Sequence, residues 1–489
     1  MLRRALPAAL LLVLLAAPVA QAEFGHESHD GWPVNAEGEV LRPPVDYGGM
    51  IAGPLNKAGG FTLYPYYPLL TAEVTRLAQE HPDLVKLTSA GKSTAGLDMW
   101  LLEIADFARI EAGEGVPLEE REVLYIDGGT HSNEYSGVYF VTEIASFLLD
   151  EYATNETAKW IVENRHVWIL PMVNPDGSNA FGRLNAKLVN VNRNFPGTWG
   201  TVEEDPIVNN PGAAPASEVE TQVVISIMER TQPDYVNSIH CCGNLWLHPY
   251  GAEELENPRD LQMFTRICDE AFAEVREDCG EIWSTIYPAS GTTADEGYER
   301  VGASSWTYEM SGRGRIAGPW GEPAVNRDVR EQEHESWNGI LHAFLNVEKY
   351  GARPKVVDVR GDAARLSVTV ANVGYGNLTF GNVTVAGAAQ PLPALLPNET
   401  ATLVFEGAFA PGNLTVGVDW VKRERHMTPG ALALDVPLVE TAEGLVGVLP
   451  DAADPISQTA TRPIESVPGA PLALAVLAVA ALAVALRRR

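Results

Sequence analysis

Basic residues are scarce in this 489-residue chain: 35 Lys and Arg stand against 64 Asp and Glu, for a formal net charge of −29. That balance argues against nucleic acid as a partner, because a phosphate backbone would be repelled. Charged residues make up only 20% of the chain, so extreme halophily does not follow. Cysteine is scarcer still, with four residues, at 241, 242, 268 and 279. Histidine numbers ten, and long apolar runs are confined to the two ends.

Those ends read as targeting segments. Arg3 and Arg4, an apolar run from Leu10 to Ala17, and Ala20-Gln21-Ala22 make residues 1–22 a signal peptide with a small-residue cleavage site. At the other end, Pro471 to Leu486 is uninterrupted and apolar, and Arg487 to Arg489 close it, so 471–489 reads as a transmembrane or sorting segment with its basic end in the cytoplasm. The tail resembles archaeal cell-surface sorting signals, with Pro468-Gly469 ahead of the run. The expectation is an exported protein anchored at the cell surface through this membrane segment. Without those five arginines the net charge moves from −29 to −34, which favours solubility. Asn-x-Thr sequons at Asn155, Asn377, Asn382, Asn398 and Asn413 suit an exposed, glycosylated module, four of them lying after residue 370.

Between the ends, helical and strand patterns alternate. Leu70 to Glu80, Val138 to Tyr152, Ser217 to Glu229 and Glu331 to Tyr350 read as helices. Met99 to Ile104, Val123 to Asp127, His166 to Val173 and Tyr235 to Ile239 read as strands. This predicts an α/β domain over 61–350, a mixed and mostly parallel sheet flanked by helices, preceded by an N-terminal extension at 23–60. After Gly351 to Pro354 the period shortens to two, with breaks at Gly, Pro and Asn, which predicts a small all-β sandwich over 355–437. Residues 438–470 lack periodicity and read as a flexible stalk.

Cys268 and Cys279 flank an expected continuous helix, and eleven helical residues would hold their Cα atoms about 16 Å apart, beyond the roughly 7 Å a disulfide tolerates. The expectation is that they do not bridge each other. Cys241 and Cys242 are left with three options: a vicinal bridge, pairing with Cys268 and Cys279, or thiolate ligation of a metal.

Candidate chemistry begins at His131-Ser132-Asn133-Glu134, which follows the apolar run Val123 to Ile126. A neutral imidazole and a carboxylate at the end of a strand are donors zinc prefers, and catalytic sites commonly join two His and one Glu. On its own the tetrapeptide is a weak signal in so acidic a chain. His240, at the end of the Tyr235 to Ile239 strand, is the best third ligand; His248, before Pro249-Tyr250-Gly251, reads as structural. Asn192-Arg193 pairs an amide with a planar guanidinium fork that suits a carboxylate. Glu309 is a lone carboxylate in the apolar strand Trp306 to Met310, where burial demands a partner or a function.

Placed in order, these segments resemble the zinc carboxypeptidases of the A/B type from about Tyr66 to Tyr350. The match includes His131-x-x-Glu134, Asn174-Pro-Asp-Gly177, Asn192-Arg193-Asn194, Pro215 to Thr221, His240, Ile286 to Gly291 and the Glu309 strand. The resemblance implies that His131, Glu134 and His240 hold one Zn2+, that Glu309 is the general base, and that Arg183 stabilises the oxyanion. It also implies that Asn192 and Arg193 grip the terminal carboxylate of a peptide or protein while Tyr287 closes over it. Departures from the family are Asn133 in place of an arginine, Asn190 in place of an aspartate that orients the first zinc-binding histidine, and Cys241-Cys242 in place of Ser-Tyr. The pocket-floor position falls on Ala294, which with Ile282 and Ala289 implies a neutral or apolar terminal side chain; a one-residue gap would bring Asp295 there and favour Lys or Arg. A zinc amidohydrolase acting on cell-wall peptides or acylated amino acids, and a non-catalytic surface adhesin, are the competing readings. The sequence leaves the oligomeric state open.

Overall fold

The computed structural model describes residues 66–449 apart from 181–182, 206–208, 242, 254, 256–257, 272–277, 311–336, 338 and 424–427, together with a two-residue ladder between β1 (Lys57–Ala58) and β2 (Phe61–Thr62). The expected signal peptide, the C-terminal apolar segment and residues 450–470 of the expected stalk lie outside the described residues. Among the described residues no helix is long and apolar enough to cross a membrane.

An eight-stranded sheet organises the first domain. Its strands are β3 (Val85–Lys92), β4 (Asp98–Ile104), β5 (Glu122–Gly128), β6 (Arg165–Leu170), β7 (Tyr235–Cys241), β8 (Leu245–His248), β9 (Asp278–Glu281) and β10 (Ser304–Met310), and the spatial order is β3-β4-β6-β5-β7-β10-β8-β9. The central run β6, β5, β7 and β10 is parallel, and antiparallel pairs flank it, so the sheet is mixed, as the alternating pattern predicts. Both faces are covered. Leu124, Ile126, Tyr235 and Ile239 join the core beneath helices α1 (Tyr66–Glu80) and α2 (Tyr135–Asp150). Tyr125 and Val236, one residue out of phase, join the opposite core with Val224, Ile227 and Met228 of α3 (Val219–Thr231). A period-two strand with both faces buried reads as a continuous apolar run, which is why these strands carry few polar residues. The ones they do carry are therefore informative. In α1 and α2 the buried stripes Leu70, Val74, Leu77 and Val138, Val141, Ile144, Leu148 keep helical spacing, and each fully buried aliphatic side chain contributes roughly 2 kcal/mol.

A second sheet is built from β11 (Pro354–Gly361), β12 (Arg365–Asn372), β13 (Gly381–Val385), β14 (Ala388–Pro391), β15 (Thr400–Glu406), β16 (Gly412–Arg423), β17 (Thr428–Thr441) and β18 (Gly444–Gly447); its order is β14-β13-β16-β17-β18-β11-β12-β15, antiparallel throughout. Val356, Val359, Val368, Val370, Val383, Val385, Val416 and Val418 fill its interior. The boundary expected at 437 falls short: β17 is Thr428–Thr441, β18 is Gly444–Gly447, and Leu438 and Leu445 are buried. Eight of the first ten residues assigned to the stalk are strand, because a turn at Ala442-Glu443, closed by Gly444 at φ +112°, returns the chain along β17. Among the sequons, Asn382, Asn398 and Asn413 are exposed, whereas Asn155 is buried and its side chain caps a helix by accepting from Thr157 N and Ala158 N.

The two domains are joined by charge as well as by apolar contact. Arg423, on β16 (Gly412–Arg423), donates from Nη2 to Asp234 Oδ1 at 3.1 Å, and Asp234 Oδ2 accepts from Val123 N at the start of β5. Burial alone would raise the Asp234 carboxyl, but Arg423 and Lys422 hold it below the usual carboxylate range. Its stabilising contribution is thus fully present at neutral pH and is lost as pH falls through that depressed value. Arg423→Ala, which removes the nearer of two counter-charges from a part-buried carboxylate that keeps Lys422 and Val123 N, is expected to cost about 2 kcal/mol. Denaturant unfolding at pH 7 reads this, and the gap from the parent protein narrows in acid.

Cys268, on α4 (Leu261–Ala271), bridges Cys279 on β9 with Cα atoms 5.6 Å apart. The expected continuous helix is therefore wrong, since it would hold them three times farther apart. Cys241 is disulfide-bonded too, which removes it as a thiolate ligand.

Candidate metal centre and carboxylate clamp

Three neighbouring parallel strands end together. Glu309 of β10 and His240 of β7 are Cα partners in register, Ile239 pairs with Gly128, and His131 lies on the loop three residues past Gly128. Carboxyl ends of parallel strands are where α/β sheets build their sites. Gly129 permits the turn: its φ is +62°, and a Cβ there would meet Val138 Cγ2 at 2.7 Å. Ser132 donates to Asn174 O, and Asn174 N to Gly129 O, so the Asn174-Pro-Asp-Gly177 segment backs the turn from behind.

His131, Glu134 and His240 are all buried and converge. His240 Nδ1 is 3.1 Å from His131 Nδ1 and 2.8 Å from Glu134 Oε2, and His131 Nδ1 is 2.9 Å from Glu134 Oε1. The outward nitrogens of both rings are occupied. His131 Nε2 donates to Asn190 Oδ1 at 3.0 Å; that oxygen also accepts from Asn192 N, while Asn190 Nδ2 donates to Asn209 Oδ1, so the amide's orientation is fixed. His240 Nε2 donates to Ser238 Oγ at 3.2 Å, whose own proton goes to Asp127 Oδ1 at 2.6 Å. Both imidazoles are thereby held with Nδ1 lone pairs facing inward beside a carboxylate. That donor set fits zinc, and these residues form a group able to hold a metal ion. Burial and the Arg183 charge push His131 down to about 3, keeping its ring neutral as a ligand must be. Glu134 lies well below its ordinary value despite its burial, because a proton entering the site goes to the His131 or His240 ring rather than to the carboxylate between them.

The other expected residues gather around this centre. Arg183 Nη1 is 2.8 Å from Glu134 Oε1. Glu309 retains some solvent contact, yet burial and the Glu134 charge push its carboxyl up to about 7. Asn192 Oδ1 accepts from Thr293 N and Thr293 Oγ1, which leaves its amide nitrogen 3.4 Å from His240 Nε2. Arg193 is buried, donates from Nη1 to Asn192 O, and lies under the exposed Tyr287 ring, 5.9 Å from its centroid. Gly291 makes room for it: φ is +65°, and a Cβ would meet Arg193 O at 2.5 Å. Asn133 Oδ1 is buried without a hydrogen-bond partner.

Beside the clamp, Leu247, Ile282, Ala289 and Ala294 form a small apolar cluster with Leu245 and Ile286 packed against it. Asp295 is buried with its oxygens taken up by Thr198 Oγ1 and Gly251 N, and burial pushes it up to about 7. His248 has the structural place expected of it, donating from Nδ1 to Pro249 O and stacking on Phe264.

Three further neighbours of the site lie outside the sequence expectations. Asp127 and Ser238 stand behind His240, and a signal existed for both: polar residues inside buried apolar strands, the same clue that singled out Glu309. Glu204, whose Oε1 lies 2.9 Å from Arg193 Nε, comes from an irregular loop and had none.

Residues 70–336 match the family described as zinc carboxypeptidase. A zinc carboxypeptidase of Saccharothrix mutabilis subsp. capreolus is 35% identical over 133 residues, covering 27% of this chain and 29% of that protein. Carboxypeptidase A1 of Sus scrofa is 27% identical over 300 residues, 54% of this chain and 65% of its own length. Carboxypeptidase B of Astacus astacus is 26% identical, covering 57% and 95%. The chain thus spans under a third of the first of these relatives and about two thirds of the second. The crystal structure of thrombin activatable fibrinolysis inhibitor superposes with a TM-score of 0.50 at 17% identity, covering 62% of this chain and 79% of that one, a likeness of fold.

Proposed function

This chain belongs to the zinc carboxypeptidase family, and from that premise we propose that it is a metallocarboxypeptidase hydrolysing the C-terminal bond of peptides or proteins outside the cell. The observation that carries the reading is the convergence of His131, Glu134 and His240 beside a buried arginine and an amide, a metal centre within reach of a carboxylate grip.

When bound, zinc supplies Lewis acidity at the scissile carbonyl and makes water more acidic. The chain's own residues do the rest. Arg193 and Asn192 take the terminal carboxylate, and Tyr287, exposed above Arg193, closes over it. The terminal side chain lies against Leu247, Ile282, Ile286, Ala289 and Ala294, which favours a neutral or apolar residue; Asp295 is engaged elsewhere and offers no counter-charge to Lys or Arg. Arg183 moves from Glu134 to the oxygen that gains negative charge. Glu309 takes a proton from the attacking water and hands it to the departing amine, a role suited to a carboxyl raised toward neutrality. Export and surface anchoring rest on the N-terminal and C-terminal apolar segments of the sequence.

Metal removal tests the reading. Dialysis against a chelator is expected to abolish release of the last residue from an N-blocked dipeptide, and one equivalent of zinc restores it. Turnover that survives complete zinc removal contradicts the proposal.

A further inference from the structure

Arg193 already has a carboxylate beside it. Glu204 Oε1 sits 2.9 Å from Arg193 Nε, the two side chains being 2% and 6% exposed, and the same oxygen accepts from Ser290 N at 3.2 Å. Ser290 lies between Tyr287 and Gly291, so Glu204 is lodged among the elements that form the grip. The contact is electrostatic rather than directed, because the Nε hydrogen has no aligned acceptor. A guanidinium gains most from a carboxylate that meets its fork with two oxygens. Glu204 makes one unaligned contact and still neutralises the charge. The loop carrying it is tied down nearby: Asp205 O accepts from Asn209 N, and Asn209 Oδ1 holds the Asn190 amide that orients His131.

We propose that Glu204 is a resident competitor for the carboxylate clamp, a chain-borne acid that sets how tightly a peptide's terminal carboxylate is held. This rests on the carboxypeptidase reading of Arg193. A terminal carboxylate either displaces Glu204 from Arg193 or binds next to its negative charge, and affinity is reduced in both cases. A carboxylate that merely positioned Arg193 would act in the opposite sense, since its loss would loosen the grip.

The sign of one measurement separates the two. Glu204→Gln is expected to bind N-benzoylglycine about tenfold more tightly by calorimetry, the factor that ~1.4 kcal/mol of relieved competition corresponds to. KM for N-benzoylglycyl-phenylalanine falls in parallel while kcat stays within about twofold, the pattern of a change in ground-state binding. The amidated dipeptide, which has no terminal carboxylate, gains nothing, and Glu203→Gln on the exposed side of the loop leaves binding unchanged. Glu204→Asp withdraws the charge by one methylene and gives an intermediate gain, so it carries the same test if Glu204→Gln does not fold. Equal, weaker or undetectable binding of N-benzoylglycine by these variants overturns the proposal. If no form of the protein hydrolyses the dipeptide, the carboxypeptidase reading fails, and the calorimetry still decides the role of Glu204.

Discussion

Glu309→Gln is expected to lower kcat by about 10^3-fold, the upper part of the range for a positioned acid-base group. Zinc content and the KM for a blocked dipeptide change little. The substitution is nearly isosteric, so β10 keeps its register with β7 and the ligand His240 stays in place. What is lost is a carboxylate that burial and the Glu134 charge have pushed up to about 7, where it can both accept and return a proton near neutral pH. The sign of the pH dependence follows. Activity needs the ionised form, so kcat/KM falls as pH drops through the Glu309 value, and bound zinc, adding positive charge nearby, moves that limb to lower pH. The variant loses the limb together with the rate. Metal analysis, a kinetic series and a pH profile on parent and variant check this; a variant of undiminished kcat removes Glu309 from the proton path.

Arg193→Ala is the second large effect, an expected loss of about 10^2 to 10^3 in kcat/KM on substrates with a free terminal carboxylate. Arg193 is nearly inaccessible to solvent, so its fork acts where water competes poorly, and the loss appears mainly in KM. The same change leaves Glu204 beside an uncharged alanine, and removing that charge as well in Arg193→Ala/Glu204→Gln recovers part of the loss. Steady-state kinetics on the acid and its amide give the readout, because the amide, having no carboxylate to grip, is indifferent to Arg193. Equal losses on both substrates contradict a role in carboxylate recognition.

Much of the site was legible because its residues break the pattern of the strands that carry them. His240 and Glu309 interrupt buried apolar runs, and His131 with Glu134 follows one directly. Such interruptions are costly unless the polar group is used, so they mark function. Asp127 and Ser238 carry the same mark, but neither residue type suggests a ligand by itself. The second sheet was legible from its period-two valines, but its last turn was not: Ala442-Glu443-Gly444 sits in a polar stretch that composition alone assigns to a linker. Cys268 and Cys279 misled because helical patterning says little about where a helix stops. Glu204 was beyond reach for a different reason. Its place depends on the irregular segments 199–205 and 209–212, which long-range contacts to Asn190, Arg193 and Ser290 position and local sequence does not.

Stepwise trimming of a defined peptide, followed by mass over time, decides whether this chain is a carboxypeptidase. The expected products form a ladder shortened one residue at a time from the C-terminus, fastest after neutral or apolar residues, with the amidated twin left intact. Internal cleavage, or equal attack on the amidated peptide, would contradict that reading.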